Sequence, residues 1–433
     1  MTFRFLHLAD LHLETHFGGR ARAKERLRKA TLEAFERAVD FALKERLHAV
    51  LVAGDMFDDQ LLSLRTELTI VRQIERLAQA GTWFIAVCGN HDSGGASKRM
   101  ARLGVCRDET RNEPWRKRIV IFRKPQPELI VVDDREGTEV GVVIGAGHAT
   151  EREERNLAAD FIKLDTELPV VGLLHTQVES ARSGELHDRY APSTPRDYAH
   201  QGYVYWALGH IHLRQRALAD HPAWYAGNLQ GRNARETGAK GGLVVEAEPK
   251  TPVQEPQFQA FARLRWERER VAGLEHIETT SSLINELAER LRELAERFEE
   301  ELIPVLELTG PCPLASTLKG AETREQLEEE LIELTGFTDI QIRLNGLHRP
   351  RDLDAMRRTP TVLGKALELI DGARFDTELL ERIAPEVLAG LQPNTRSDQT
   401  DALDAEEKVK YLRSLLEGLE HELVDRTLVE DAQ

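Results

Sequence analysis

Five short clusters of side chains in this sequence have the donor types of a metal site: Asp10-Leu11-His12, Gly54-Asp55-Met56-Phe57-Asp58, Gly89-Asn90-His91-Asp92, His175-Thr176-Gln177 and Gly209-His210-Ile211-His212. Their donors are carboxylates, imidazoles and an amide, with no thiolate. Such a set suits Mn²⁺, Fe²⁺ or Zn²⁺ in a reactive site better than a structural zinc, and it leaves the choice among them open. Two divalent ions about 3.5–4 Å apart share a carboxylate and activate water for in-line attack on phosphorus. Phosphoester hydrolysis is the chemistry this donor set points to. The glycines before Asp55, Asn90 and His210 are expected to let the backbone turn sharply beside the ions. His210 and His212 are two apart, so an extended backbone puts both on one face. Taken singly, a buried His is more often a core residue and an Asp after a strand is often a helix cap. The argument rests on all the clusters together.

Each cluster follows an apolar stretch of strand character. Residues 3–8, 49–53, 83–88, 170–174 and 203–208 precede the clusters in that order. Amphipathic helix patterns fill residues 22–46, with Leu27, Leu32, Phe35, Val39 and Leu43 at helical spacing, and residues 64–80, which Gly81 stops. Alternating strand and helix predict a layered α/β domain. Further strand patterns at 119–122, 129–132, 140–144 and 243–245 lack intervening helices. Two mixed sheets packed face to face, with helices outside, fit them better than one doubly wound sheet. In open α/β sheets ligands bind at the carboxyl ends of the strands, which is where every cluster lies.

Three regions are expected: residues 1–262 carrying the clusters, an α+β unit over 263–348, and a helical region over 349–433 broken by Pro360, Pro385 and Pro393. The net charge of −16 is unevenly spread, with +2 on residues 1–270 and −18 on residues 271–433. The first part has local basic clusters at 20–29 and 111–124, each either a phosphate contact or a solvated face. The three cysteines, Cys88, Cys106 and Cys312, form neither a disulfide framework nor a zinc motif. No apolar run nears the ~20 residues of a membrane span, and the first residues have no apolar signal core. A cytoplasmic placement without membrane contact is the expectation.

The motifs Asp10-x-His12, Gly54-Asp55-x-x-Asp58, Gly89-Asn90-His91-Asp92, His175 and Gly209-His210-x-His212 resemble those of the calcineurin-like metallophosphoesterases. The stretches Tyr205-Trp206-Ala207-Leu208-Gly209-His210-Ile211-His212 and Tyr225-Ala226-Gly227-Asn228-Leu229-Gln230-Gly231-Arg232 are similar to its SbcD-like DNA repair exonucleases, and within them to the YhaO-type proteins. The resemblance covers roughly residues 1–270. It implies a four-layer α/β/β/α sandwich with a smaller α+β capping domain and C-terminal helices, and two Mn²⁺ ions. It implies Asp10, His12 and His212 on one ion, Asn90, His175 and His210 on the other, and Asp55 between them. His91 would hold the phosphate and protonate the leaving oxygen, with Asp92 orienting it. Asp58 stands where some relatives carry a His implicated in exonuclease action on duplex ends. An ionised Asp is a poor substitute for that imidazole. The resemblance therefore carries phosphodiester hydrolysis further than it carries the exonuclease mode.

The expected function is a Mn²⁺-dependent DNA nuclease in repair, an exonuclease with an endonuclease activity beside it, serving as the nuclease subunit of an SMC-like coiled-coil ATPase complex. A homodimer is a further possibility, and a stand-alone phosphatase or cyclic-nucleotide phosphodiesterase is the alternative. Asp58, Asn228, Arg232 and Arg235 are the candidate substrate contacts. Residues 405–429 read as one long helix with Val409, Leu412, Leu416, Leu419 and Leu423 forming a heptad seam. That seam either docks on the ATPase, reached through a polar linker at 393–400, or folds onto its own domain.

Overall fold

The computed structural model describes residues 2–15, 17–58, 63–94, 113–179, 190–199, 202–382, 405–416 and 418–430. The chain divides into two compact units, Met1–Glu267 with Phe298–Ile303, and Arg268–Arg297 with Pro304–Gln433. The first boundary falls five residues beyond the one expected at 262, Phe298–Ile303 returns to the first unit, and the remainder of the regions expected at 263–348 and 349–433 lies in the second.

The first unit holds two six-stranded sheets. With β4 at Ile119–Phe122, β5 at Glu128–Asp133, β6 at Glu139–Ala146 and β11 at Gly241–Ala247, one runs β12-β11-β1-β2-β3-β4 and the other β5-β6-β7-β8-β10-β9. The strands that matter for the site are β1 (Phe3–Leu8), β2 (Ala49–Ala53), β3 (Trp83–Val87), β7 (Val170–His175) and β8 (Tyr203–Gly209). β1, β2 and β3 are neighbours and parallel, as are β7 and β8. Their side chains alternate between two cores, as a pleated strand requires. Phe5, Leu51 and Ile85 face the second sheet and meet Val143, Leu173 and Tyr205. Leu6, Val50 and Phe84 face outward and meet Phe35, Val39, Ile70 and Ile74 of α1 (Ala21–Lys44) and α2 (Leu64–Gln79). Burial on both faces explains why these strands read as unbroken apolar runs.

The fold is thus the expected mixed α/β one, two sheets face to face with helices outside. The outer face of the second sheet differs in detail. Among the described residues, its Ile144, Leu174 and Trp206 are covered by Leu157, Phe161 and Tyr198 from loops and short 3-10 turns. Bulky aromatics do there what a helix does on the other side; the Tyr203 and Trp206 rings stack at 4.6 Å. Three strands went unread in the sequence: β9 (Gln215–Arg216), β10 (Ala223–Tyr225) and β12 (Gln257–Ala260). All are two to four residues long, too short to show a period.

The second unit is built on a three-stranded sheet, β13 (Leu264–Val271), β14 (Glu301–Pro311) and β15 (Gln341–His348), in the order β13-β14-β15. The helices Thr280–Glu296 and Ala321–Thr335 pack Leu283, Leu287, Leu327 and Leu331 against Leu306 and Leu308.

The C-terminal segment corrects an expectation. It forms two helices, Ala405–Leu416 and Leu419–Glu430, because Gly418 takes a left-handed φ of 80° that ends the first. Val409 and Leu412 of the seam are buried against Leu380, with Leu416 packed beside them. The second helix buries two carboxylates. Glu420 pairs with Arg374 at 3.0 Å and also with Arg357, while Asp425 pairs with Arg351 at 2.7 Å and also with Lys319. Val409, Leu412 and Leu416 of the seam therefore cover their own unit, while Leu419 is exposed. The linker at 393–400, Pro385 and Pro393 lie outside the described residues. Among the described residues, no helix is long and apolar enough to cross a membrane. Cys88 and Cys312 are buried and free, and Cys106 lies outside the described residues.

Candidate metal centre

Because β1, β2 and β3 are parallel neighbours in one sheet and β7 and β8 in the other, their carboxyl-end loops converge. The loop after β1 is stitched to the loop after β2 by backbone bonds from Asp10 N to Gly54 O and from His12 N to Asp55 O. Glu14 then accepts from the backbone N–H and hydroxyl of Ser63 and the hydroxyl of Thr66, fixing that loop to the start of α2.

Asp10, His12, Asp55 and His210 all have positive φ, at 50°, 43°, 47° and 103°. Four non-glycine residues in that region cost of order 1–3 kcal/mol each, a burden that persists only where the surroundings over-determine it and that concentrates at functional sites. The glycines act differently from expectation. Only Gly54 has a left-handed φ, of 85°. At Gly89 a Cβ would sit 2.1 Å from Asp55 Oδ1, and at Gly209 it would sit 1.8 Å from the Ala53 carbonyl oxygen. Close approach of the loops, not a turn, excludes side chains at those two positions.

The buried donors form overlapping groups. Ligand atoms of Asp10, His12 and His212 lie within 4.8 Å of one another, as do those of Asp10, Asp55 and His175, and those of His12, Asp58 and His91. Asp55 Oδ2 stands between the first two groups, 3.4 Å from His175 Nε2 and 3.9 Å from His12 Nε2. Asn90 Oδ1 lies 2.9 Å from His175 Nε2, and the His175 ring is 5.2 Å from that of His210.

The histidines show what this pocket is made for. His12 Nδ1 donates to Asp58 at 3.0 Å and His212 Nδ1 donates to Glu236 at 2.8 Å. The two Nε2 atoms then face each other 3.1 Å apart, the inner nitrogen of each ring turned into the pocket. A carboxylate behind each ring is the usual support of a metal-ligating His. His175 is arranged alike, with Nδ1 on the Ala53 carbonyl at 2.9 Å and Nε2 turned inward. Burial, with the Arg232 charge, lowers His12 to about 3, and burial lowers His175 to about 4, so both rings are neutral, as ligands must be. Burial and the Asp55 charge raise Asp10 and Asp92 to about 7. Asp55 is held well below its usual range against burial by His175, His91 and His12. Crowded carboxylates short of positive charge, with neutral imidazoles aimed among them, fit divalent cations.

Asp92 and Asn228 make contacts beyond those expected of them. Asp92 accepts from the backbone N–H groups of Gly89 at 2.7 Å and Met56 at 2.8 Å, locking the β3 loop to the β2 loop. The carboxylate on the His91 ring is Asp58, at 2.9 Å. Asn228 is buried; its amide donates to Glu236 at 2.6 Å, so it braces the carboxylate behind His212. His91 itself is outward, with its side chain 39% exposed. Burial disfavours its charged form, yet the Asp58 hydrogen bond and the charges of Asp55 and Asp58 raise it to about 9.

Arg232 lies at the site, 3.6 Å from Asp58 and 3.4 Å from Glu236, and so bridges the carboxylates behind His12 and His212. Arg235 is exposed. The basic clusters are partly neutralised: Arg26 and Lys29 pair with Glu33, and Lys117 and Arg118 with Asp133, while Arg111 lies outside the described residues.

Glu236 went unread in the sequence. One signal was present: it is the sole acidic residue between Asp220 and Glu246. Glu236→Gln is expected to weaken the affinity for one ion about 10–100-fold, the usual effect of losing a carboxylate behind a ligand His. Mn²⁺ titration of the purified variant checks this, and an unchanged affinity would remove Glu236 from the metal's support.

Residues 3–214 match the family model described as calcineurin-like phosphoesterase. The chain is 32% identical over 343 residues to the "Uncharacterized metallophosphoesterase YhaO" of Bacillus subtilis, covering 77% of this chain and 79% of that one. It is 29% identical over 266 residues to the "DNA double-strand break repair protein Mre11" of Aeropyrum pernix, covering 58% of this chain and 60% of that one. The protein of the same description from Methanopyrus kandleri is 23% identical over 432 residues, covering 92% of this chain and 85% of that one. With its donor clusters gathered at the strand ends of two facing sheets, the chain belongs to the calcineurin-like metallophosphoesterases.

Proposed function

We propose that this chain is a two-metal phosphodiesterase that acts on DNA, a repair nuclease. The observation that carries the proposal is the pair of inward imidazoles, His12 and His212, backed by carboxylates, with an outward proton donor, His91, beside them. Asp10, His12 and His212 would hold one ion, Asn90, His175 and His210 the other, and Asp55 both. The donors are oxygen and imidazole only, a set that admits Mn²⁺, and the family resemblance makes Mn²⁺ the working metal of this proposal. When bound, the ions supply a Lewis acid and an activated water. His91 binds the phosphate and gives its proton to the leaving oxygen. Asp92 acts by holding the His91 loop. Arg232, at the rim of the cluster, and the exposed Arg235 are the candidate grips on further phosphates.

DNA as substrate is supported by the relatives described as DNA double-strand break repair proteins. Exonuclease action with an endonuclease activity beside it, an SMC-like ATPase partner and a homodimer belong to the same proposal and rest on the family resemblance; a cytoplasmic setting rests on the sparse cysteine set. The buried seam of Ala405–Leu416 leaves the partner's docking surface unassigned.

The test is hydrolysis by the purified full chain with Mn²⁺, using linear duplex, single-stranded DNA and bis(p-nitrophenyl) phosphate. Cleavage of DNA and of the aryl diester supports the proposal. Action on phosphomonoesters or cyclic nucleotides with DNA untouched overturns it in favour of a small-substrate enzyme.

A further inference from the structure

Asp58 belongs to neither proposed ion, yet its carboxylate meets three side chains of the site. Its Oδ1 lies 3.0 Å from His12 Nδ1 and 2.9 Å from His91 Nδ1, and its Oδ2 lies 3.6 Å from Arg232. The His12 and His91 rings stand edge to face with centroids 5.0 Å apart, and Asp58 serves the Nδ1 of both. One ring turns its other nitrogen inward to the metal pocket; the other ring is outward and partly exposed. The carboxylate side chain is only 16% exposed, so its orientation is fixed by these partners.

We propose that Asp58 is a shared positioning residue: one carboxylate oxygen sets the tautomer and tilt of the metal ligand His12 and, at the same time, of the proton donor His91. This rests on the proposed phosphodiester hydrolysis. A single acceptor for two rings couples them. With an ion held at His12, the placement of that ring would reach His91 through Asp58. Arg232 and Glu236 complete the frame on the far side, since Arg232 reaches both Asp58 and Glu236, and Glu236 holds His212.

Asp58→Ala, with Asp58→Asn as the variant that keeps the volume should the first unfold, is read by two measurements. Direct Mn²⁺ titration, which needs no substrate, should show about 10–100-fold weaker affinity for one ion. At saturating Mn²⁺, turnover of linear duplex should still fall about 10²-fold, the lower range for a misplaced general acid. In a His91→Ala background, removing Asp58 should leave the affinity loss in place and cause no further loss of turnover, as expected for residues acting as one unit. Unchanged Mn²⁺ affinity overturns the hold on His12. Losses that multiply in the double variant overturn the action through His91. If the unaltered chain hydrolyses no diester, the functional proposal and the His91 part fall together, and the titration alone decides the His12 part.

Discussion

Asp55→Ala is expected to abolish hydrolysis of every substrate. Its carboxylate lies between the two ligand groups, and its Oδ1 also accepts the His91 backbone N–H at 3.0 Å. Removing it takes a ligand from both proposed ions and frees the loop that carries Asn90, His91 and Asp92. Metal-assisted charge stabilisation is worth several kcal/mol, and each 1.36 kcal/mol is tenfold, so the loss should reach about 10³-fold or more. The check is turnover on DNA and on an aryl diester at saturating Mn²⁺, beside a Mn²⁺ titration and a thermal melt. Turnover near that of the unaltered chain would overturn the metal assignment. A folded variant that binds neither ion is the expected result.

His91→Ala separates chemistry from binding. The ring is outward and partly exposed, while His12, His175, His210 and His212 are buried. Its ring nitrogen contacts Asp58, not the inward cluster of Asp10, Asp55, His175 and His212. Both ions should therefore stay bound and DNA affinity should hold. Turnover should fall roughly 10²–10⁴-fold, the usual worth of a positioned general acid. The Asp58 contact and the charges of Asp55 and Asp58 favour the protonated ring, which is the form a donor needs. Metal analysis of the purified variant is decisive, since loss of one ion would make His91 a ligand.

These effects could be foreseen unequally from the chain alone. The donors themselves were legible because each sits just past an apolar run, and a strand buried on both faces can hardly be written any other way. The supports were not. The resemblance made Asp92 the partner of His91; its oxygens accept from the Gly89 and Met56 amides. Asp58 and His12 are 46 residues apart, and Glu236 and His212 are 24 apart. No period or spacing rule links such pairs. The C-terminal seam failed for a related reason: a heptad pattern states that a face is apolar, not what covers it. Leu380 and the Gly418 break decide that here.

By itself, the sequence determined the kind of chemistry: oxygen and imidazole donors without thiolates, placed at strand ends, for a pair of divalent ions and a phosphoester. Local chain order is enough for that, because a ligand's type and its position after a strand are properties of a few consecutive residues. Only the tertiary structure decided which carboxylate stands behind which ring. That depends on two sheets packing face to face, which brings His12 and His212, 200 residues apart, to 3.1 Å and leaves Asp58 and Glu236 as the acceptors within reach of their outer nitrogens.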